Sequence, residues 1–489
     1  MTVTEGPSTR IPARAVVVTT LCALVASACG VITGGGSEGG AGSLTAAFYQ
    51  PISDLDPTGP HNADQGLHLA SKQIFDTLVV KDGQDYQPDL ATKWEQPNPK
   101  EWVFHLREGV KFHDGKPLAA EDVKFSIERL AESESPLGPL WESLDAVEAT
   151  DDSTVTIRTK EPLGGSMLAN LSLLYVTPAA TTEEKDFFDK PVGTGPFQVK
   201  NFVPGERLDL KANAKYWDGK PKLNTLNFRN IPEESSRVTA LRSGEVDVVW
   251  NVGGEQLSQL KGADGITLDQ VTSYLYYFIW FNSDQKPFDD VRVRRAMWHA
   301  LDTKSVAKDL FGDTGKPATA PIPSSVHGHC KQQPYSYDPE KAKDLLAKAG
   351  HPKGFSTEMI WNTGSGPLIN ELADVAESSW KKVGVDVTST RLERAEYLER
   401  LLALKWGADL QTNSVISGDA DYTLGRLYTT AAKRNGFGDP KLDRLLMAAR
   451  ESTDQQERAE LYCKANKIIW DNAVGVFPVD LLMTYARSE

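Results

Sequence analysis

Residues 102–130 read WVFHLREGVKFHDGKPLAAEDVKFSIERL, and three local patterns succeed one another within them. Trp102, Phe104 and Leu106 alternate with Val103, His105 and Arg107, the period of a strand with one buried face. Gly109 permits a turn, Val110 and Phe112 alternate with Lys111 and His113 as a second short strand, and Asp114-Gly115 supplies the reversal after it. A hairpin is therefore expected. Beyond Pro117 the apolar positions change to Val123, Ile127 and Leu130, the spacing of a helix with one buried stripe, while Glu121 and Asp122 meet the positive end of its dipole. The start of that helix, Ala119-Ala120, lacks a capping hydroxyl, a local loss of ~1 kcal/mol.

At 489 residues the chain exceeds what one hydrophobic core organises, so two or more lobes are expected. The 53 basic and 67 acidic residues leave a net charge of -14. No Lys/Arg-rich segment or aromatic-basic ladder appears, which argues against nucleic acid as a partner.

The first residues read as a targeting segment. Arg10 and Arg14 form a basic region, and residues 15–28, AVVVTTLCALVASA, are apolar but too short to span a bilayer comfortably. Residues 25–30, VASACG, resemble the lipobox of bacterial lipoproteins, with Ala26 where Leu is more usual. Cleavage before Cys29 would leave a lipidated thiol anchored in the membrane; ordinary signal-peptidase cleavage is the alternative that ASA also suits. Residues 31–43, VITGGGSEGGAGS, form a flexible tether. The GxSxG match inside it lacks the strand and helix a nucleophile elbow requires. With Cys22 in the discarded segment and Cys29 lipidated, Cys330 and Cys463 are the thiols left for an oxidising compartment. A disulfide between them is expected, against the alternative of two separate buried thiols.

The string FHLREGVKFHDGKPLAAEDVKFSIERL closely resembles the family of peptide-binding solute receptors that serve ABC importers, whose members bind dipeptides, oligopeptides, glutathione or nickel. Further stretches carry the same resemblance: SDLDP at 53–57, SKQIFDTLVV at 71–80, GTGPF at 193–197, and YLYYFIWFNSDQKPFDDVRVRRAMWHALD from Tyr274. The resemblance implies a two-lobed, periplasmic-binding-protein-like α/β fold of the Venus flytrap kind, with an extra subdomain and mixed β-sheets flanked by helices. It divides the chain into a signal (1–28), a tether (29–43), lobe I (44–75, 190–271 and 475–489), lobe II (76–189) and lobe III (272–474). Gly193, Gly195 and Pro196 suit a crossing between lobes where backbone angles are unusual. Local pattern agrees with a mixed architecture: strands are expected at 44–49, 154–159, 246–250 and 355–362, and helices at 291–302, 366–383 and from Pro339 to a stop at Gly350.

No motif gathers an acid, a base and a nucleophile; HExxH and CxxC are both absent. His327-Gly328-His329-Cys330 has metal-ligand residue types, but a solvated turn explains it as well, and neither a metal nor a cofactor is expected. In peptide-binding relatives the loop corresponding to 409–427, DLQTNSVISGDADYTLGRL, carries a carboxylate for the ligand's α-ammonium. Ile416 stands at that position here, so Asp419 or Asp421 substitutes or the ligand is not a simple free-amine peptide; both could instead cap the following helix. Candidate ligand contacts are Tyr49 and Gln50 on lobe I, Trp280, Asn282, Trp361 and Asn362, and Asn413, Ser414, Asp419 and Asp421. The expected function is a monomeric, lipid-anchored, extracytoplasmic receptor that closes on a peptide or small polar ligand and delivers it to an ABC permease. The alternatives are a metal-chelate or haem receptor of the same fold, and a secreted hydrolase built on it.

Overall fold

A computed structural model describes residues 42–83, 85–363 and 368–489. The signal segment, Cys29 and nearly all of the tether lie outside the described residues, as does the beginning of the helix expected from 366.

Two long antiparallel strands, Ile266–Phe281 and Gly475–Ser488, form the axis of an eleven-stranded sheet. On one side of them come Val248–Trp250, Ser43–Phe48, Thr225–Asn230, Arg207–Ala212 and Phe197–Val203; on the other Ala408–Ser414, Phe355–Asn362 and Val385–Leu392; the eleventh strand, Gly315–Lys316, pairs with Gly475–Ser488 off this path. The first half is packed around Phe48, Phe228 and Trp250. The second encloses a larger core that includes Phe278, Trp280, Phe281, Trp380 and Phe477. A third body has a four-stranded antiparallel sheet of Ala91–Asn98, Glu101–Leu106, Thr154–Thr159 and Leu144–Asp151, covered by the helix Ala120–Glu132. We call these bodies lobe I, lobe III and lobe II.

The decisive stretch folds partly as its pattern implies. Trp102, Phe104 and Leu106 are buried, and the helix buries Val123, Ile127 and Leu130. Its missing hydroxyl cap is replaced by the Asp122 carboxylate, which accepts the backbone N–H groups of Ala119 and Ala179, each at 2.9 Å. The expected hairpin does not form. The Glu101–Leu106 strand pairs with Ala91–Asn98 and Thr154–Thr159, and residues 110–112 contribute only a bridge between Lys111 and Pro117.

The reason lies 80 residues downstream. His113 donates its backbone N–H to Gly193 O at 2.8 Å, its Nδ1 accepts the Gly193 N–H at 3.2 Å, and its Nε2 meets Gly195 O at 2.9 Å. Burial lowers the pKa of that imidazole, which suits the neutral tautomer the two contacts require. Gly193 and Gly195 themselves have no positive φ. They are glycines because of close approach: a Cβ on Gly193 would overlap the Ile74 carbonyl oxygen, and one on Gly195 would lie 2.6 Å from the Ile74 carbonyl carbon.

Candidate ligand site at the meeting of lobes II and III

The strands Phe355–Asn362 and Ala408–Ser414 run parallel, so their carboxyl ends open on the same edge of lobe III, the place where α/β sheets bind ligands. From that edge the chain enters the loop 415–423. Gly418 there has φ +61°, which a glycine adopts without strain.

Asp419 is the centre of the loop and is wholly buried. Arg458, also buried, holds it with two parallel bonds, Nη1 to Oδ2 at 2.7 Å and Nη2 to Oδ1 at 2.9 Å. Burial by itself would raise the Asp419 pKa, but the guanidinium outweighs it and holds the carboxyl below its ordinary range. Arg458 also donates to Ala449 O at 3.0 Å, Tyr462 OH at 3.2 Å and Ser166 Oγ at 3.1 Å. Ser166 belongs to lobe II. The pair therefore sits where the two lobes touch, and Gly165 leaves room for it: a Cβ there would come within 2.7 Å of Arg458 Nη1.

Three further ties fix the loop. His327 donates its N–H to Gly418 O at 2.9 Å and accepts from Ala420 N at 3.0 Å. Cys330 and Cys463 are disulfide-bonded, joining the 327–330 segment to the helix Gln455–Asp471. Asp421 accepts Arg450 Nε at 3.1 Å on both oxygens. From lobe II, Lys81 reaches over and donates its ammonium to the Gly418 carbonyl, with Ser417 O at 3.4 Å. Burial, opposed by the Asp419 charge and reinforced by Arg458, brings the Lys81 pKa down to about 8.

The structure brings some of the expected contacts together. Asn413 donates to Thr423 Oγ1 at 3.0 Å, Ser414 ends its strand opposite Leu275, and both lead directly into Asp419 and Asp421. Asn362 stands at the end of the neighbouring strand with its Oδ1 buried and without a hydrogen-bond partner among the described residues. Across the molecule, Tyr49 and Gln50 follow the first strand of lobe I; Arg237 lies 5.9 Å from the Tyr49 ring centroid, and Gln50 Oε1 is buried without a partner among the described residues.

Three residues stand elsewhere. Trp280, expected at the cleft, is 1% exposed and donates to Tyr428 OH at 2.9 Å inside lobe III. Asn282 is wholly buried, donating to Leu404 O at 2.8 Å and Trp406 O at 3.0 Å, so its amide is spent on holding that turn. Trp361 is buried with Nε1 on Asn370 Oδ1 at 3.1 Å. The pairing register explains Trp280: Ser414 lies opposite Leu275, whereas Trp280 lies opposite Asp409, toward the other end of the strand. Among the described residues no group of three metal-ligating side chains occurs, and the His327-His329 segment serves the loop.

Lys81, Ser166, Arg450 and Arg458 were not expected at the site. A signal existed for Arg458: it shares the buried face of its helix with Tyr462, Ala465, Asn466 and Ile469, and a charge on such a stripe needs a partner. Lys81 had none, because its acceptor is 337 residues away.

Residues 85–435 match the family model described as bacterial extracellular solute-binding proteins, family 5 middle. The chain belongs to this family. It is 30% identical over 465 residues to the glutathione-binding protein GsiB of Pectobacterium atrosepticum, covering 90% of this chain and 87% of that one. To the dipeptide-binding protein of Escherichia coli it is 31% identical over 434 residues, 79% of each chain. Among solved structures, HbpA2 from Haemophilus parasuis superposes with a TM-score of 0.81 at 27% identity, covering 91% of this chain and 96% of that one. The periplasmic binding protein DppA from Helicobacter pylori, in complex with the peptide STSA, gives 0.74 at 28% identity, covering 91% and 94%. The two-lobed fold with its extra subdomain is thus that of the periplasmic binding proteins. This is a substrate-binding protein of the ABC-importer class, extracytoplasmic in kind, and its relatives bind rather than convert their solutes. No described helix is long and apolar enough to cross a membrane.

Proposed function

We propose that this protein is a lipid-anchored receptor that binds a short peptide or a glutathione-like compound and presents it to an ABC permease. The observation that carries the reading is the edge where the parallel strands of lobe III end, with Asn362, Asn413 and Ser414 at its rim and lobe II resting on the adjoining 417–419 loop through Lys81 and Ser166. Lobes that touch at such an edge can exchange their mutual contacts for contacts with a ligand, and a ligand that meets both sides shifts the population toward closure by the difference. Relatives named for glutathione and dipeptides support the chemical class.

The permease would receive the closed form, with Cys29 holding the receptor at the membrane through its acyl chains. Titration calorimetry with glutathione and with a dipeptide series, followed by recovery of the ligand, tests the reading. Binding of one of them and its return unaltered is expected; chemical change of the ligand, or no binding across the series, would overturn it. For the anchor, Cys29→Ser should move the protein from the membrane to the soluble fraction, and unchanged retention would refute lipidation.

A further inference from the structure

The two halves of the long sheet aim their parallel strands at one another. Ser43–Phe48 runs parallel to Thr225–Asn230 and to Val248–Trp250, and Val248–Trp250 is antiparallel to Gly475–Ser488. These three lobe I strands therefore run with Ile266–Phe281, whose carboxyl end is in the lobe III core, and their own carboxyl ends point toward that lobe. Ala408–Ser414 is antiparallel to Ile266–Phe281, and Phe355–Asn362 is parallel to Ala408–Ser414, so the carboxyl ends of lobe III point back. Both sets of ends border the span between the lobes, where sheets of this kind take their ligands.

On the lobe III side the acceptors of the 417–421 loop are engaged within the protein: Asp419 by Arg458, Asp421 by Arg450, and the carbonyls of Ser417 and Gly418 by Lys81. Lobe I differs. A cavity of about 10 Å³, space for one water-sized group, lies at the ends of Ser43–Phe48 and Thr225–Asn230. Phe48, Ile52 and Phe228 give it a buried apolar wall, and Glu206 and Arg207 are exposed at its rim. Gln50 and Asn230 also line it, and Gln50 Oε1 and Asn230 Oδ1 are both buried without a hydrogen-bond partner among the described residues. The Asn230 amide is held in one orientation, because its Nδ2 donates to Gly205 O at 2.8 Å and so leaves the oxygen as the open end. Two buried acceptors of this kind cost free energy until a donor reaches them.

The lining arginines do not bar a cation. Arg229 pairs with Asp209 at 2.7 Å, and Arg207 stands 3.9 Å from Glu206 and from Asp209. A protonated primary amine fits the space and the chemistry, since its head is close to a water in size and offers three donors and no acceptor.

We propose that the side-chain carbonyls of Gln50 and Asn230 receive a primary ammonium group of the solute, which makes lobe I the half that selects for a free amine. Taking that amine to be a peptide's rests on the function proposed above.

Calorimetry on the full-length protein with glutathione, with N-acetylglutathione and with putrescine, an amine that has no peptide bond, separates the two readings, using wild type, Gln50→Met and Gln50→Glu. Wild type should bind glutathione about tenfold or more tightly than the N-acetyl derivative. Gln50→Met, similar in shape but without the carbonyl, should erase that gap, and Gln50→Glu, with a carboxylate in its place, should widen it by about threefold or more. Unliganded Gln50→Met should melt no lower than wild type, because a buried acceptor without a donor has been removed; a glutamine that only builds the loop would lower it. In crystals of the glutathione complex the amine nitrogen should lie within hydrogen-bond distance of both carbonyls, and a water in its place overturns the site. A gap that survives Gln50→Met, or an N-acetyl derivative bound as tightly as the free amine, overturns the site and leaves the peptide receptor standing. Gln50-dependent binding of putrescine with neither form of glutathione bound overturns the peptide and leaves the site. Failure of every amine to bind overturns the site.

Discussion

Two neighbouring stretches of lobe III use charge in opposite ways. In residues 417–421 each carboxylate has its own arginine, and the Asp419–Arg458 pair is removed from water altogether. A few residues later, Arg426 and Arg434 make no ion pair among the described residues. Charges of the first kind build the loop; charges of the second kind are left over after the fold is complete. The difference separates charges that build the loop from charges the fold leaves without an ion pair, although both belong to one short stretch of chain. Asp419, one of the two carboxylates expected to stand in for the acid missing at Ile416, is thereby a structural residue.

The strongest way to break this division is to remove the Asp419 carboxylate. Asp419→Ala leaves Arg458 buried without a counter-charge, at a cost of about 3 to 5 kcal/mol, because an uncompensated buried ion cannot recover its hydration. Chemical denaturation should show that loss in the unliganded protein. A loss below about 1 kcal/mol would mean that water reaches Arg458, and the contrast with Arg426 would vanish.

Asp409 sharpens the comparison, being a buried carboxylate on the same lobe with no cation among the described residues. It accepts from Tyr397 OH at 3.0 Å and from the Gln411 amide, yet burial outweighs both and raises its pKa to about 7. The folded state thus keeps a proton that the unfolded chain releases near the ordinary value of 3.8. Its favourable contribution is complete below that value and is lost as pH rises through the folded pKa. The stability of Asp409→Asn relative to wild type should therefore rise by up to about 4 kcal/mol between about pH 4 and pH 8. Parallel unfolding profiles across that range would show Asp409 to be ionised throughout, and pairing with arginine would no longer distinguish Asp419 from it.

What could be read beforehand follows the same line between local and distant causes. The strand from Trp102 to Leu106 and the helix stop at Gly350 are legible because a two-residue period and a left-handed glycine act within a few residues. Residues 110–112 misled for the converse reason: their alternation suits a strand, but His113 is claimed by Gly193 and Gly195. An alternating aromatic strand likewise does not say which of its ends meets the ligand edge, and Trp280 fell at the inner one. The contact from Lys81 to the 417–418 carbonyls, and the lack of an ion pair at Arg426 among the described residues, depend on the assembled lobes and leave no periodic trace in the chain.

Lys81 gives the smallest and most selective test, because it is the one cation of the contact that belongs to lobe II. Its pKa of about 8 lies below the ordinary 10.5. Below pH 8 the ammonium is charged in both folded and unfolded chains, so the full cost of partly burying it is present. Between about pH 8 and 10.5 the folded chain releases a proton that the unfolded chain retains, and this group's contribution to stability rises with pH. The shift sets an upper bound of ~3 kcal/mol, and partial access to solvent reduces the expected gain to about 1 kcal/mol. Lys81→Met should abolish that upward slope while leaving the Asp419–Arg458 pair intact. If wild type and variant unfold with parallel profiles between pH 7 and about pH 10, the lysine stays hydrated, and lobe II is held here by Ile416 packing on its core, by Ser166 on Arg458 and by the Gly164 and Gly165 N–H groups on Arg450 O and Ser452 O.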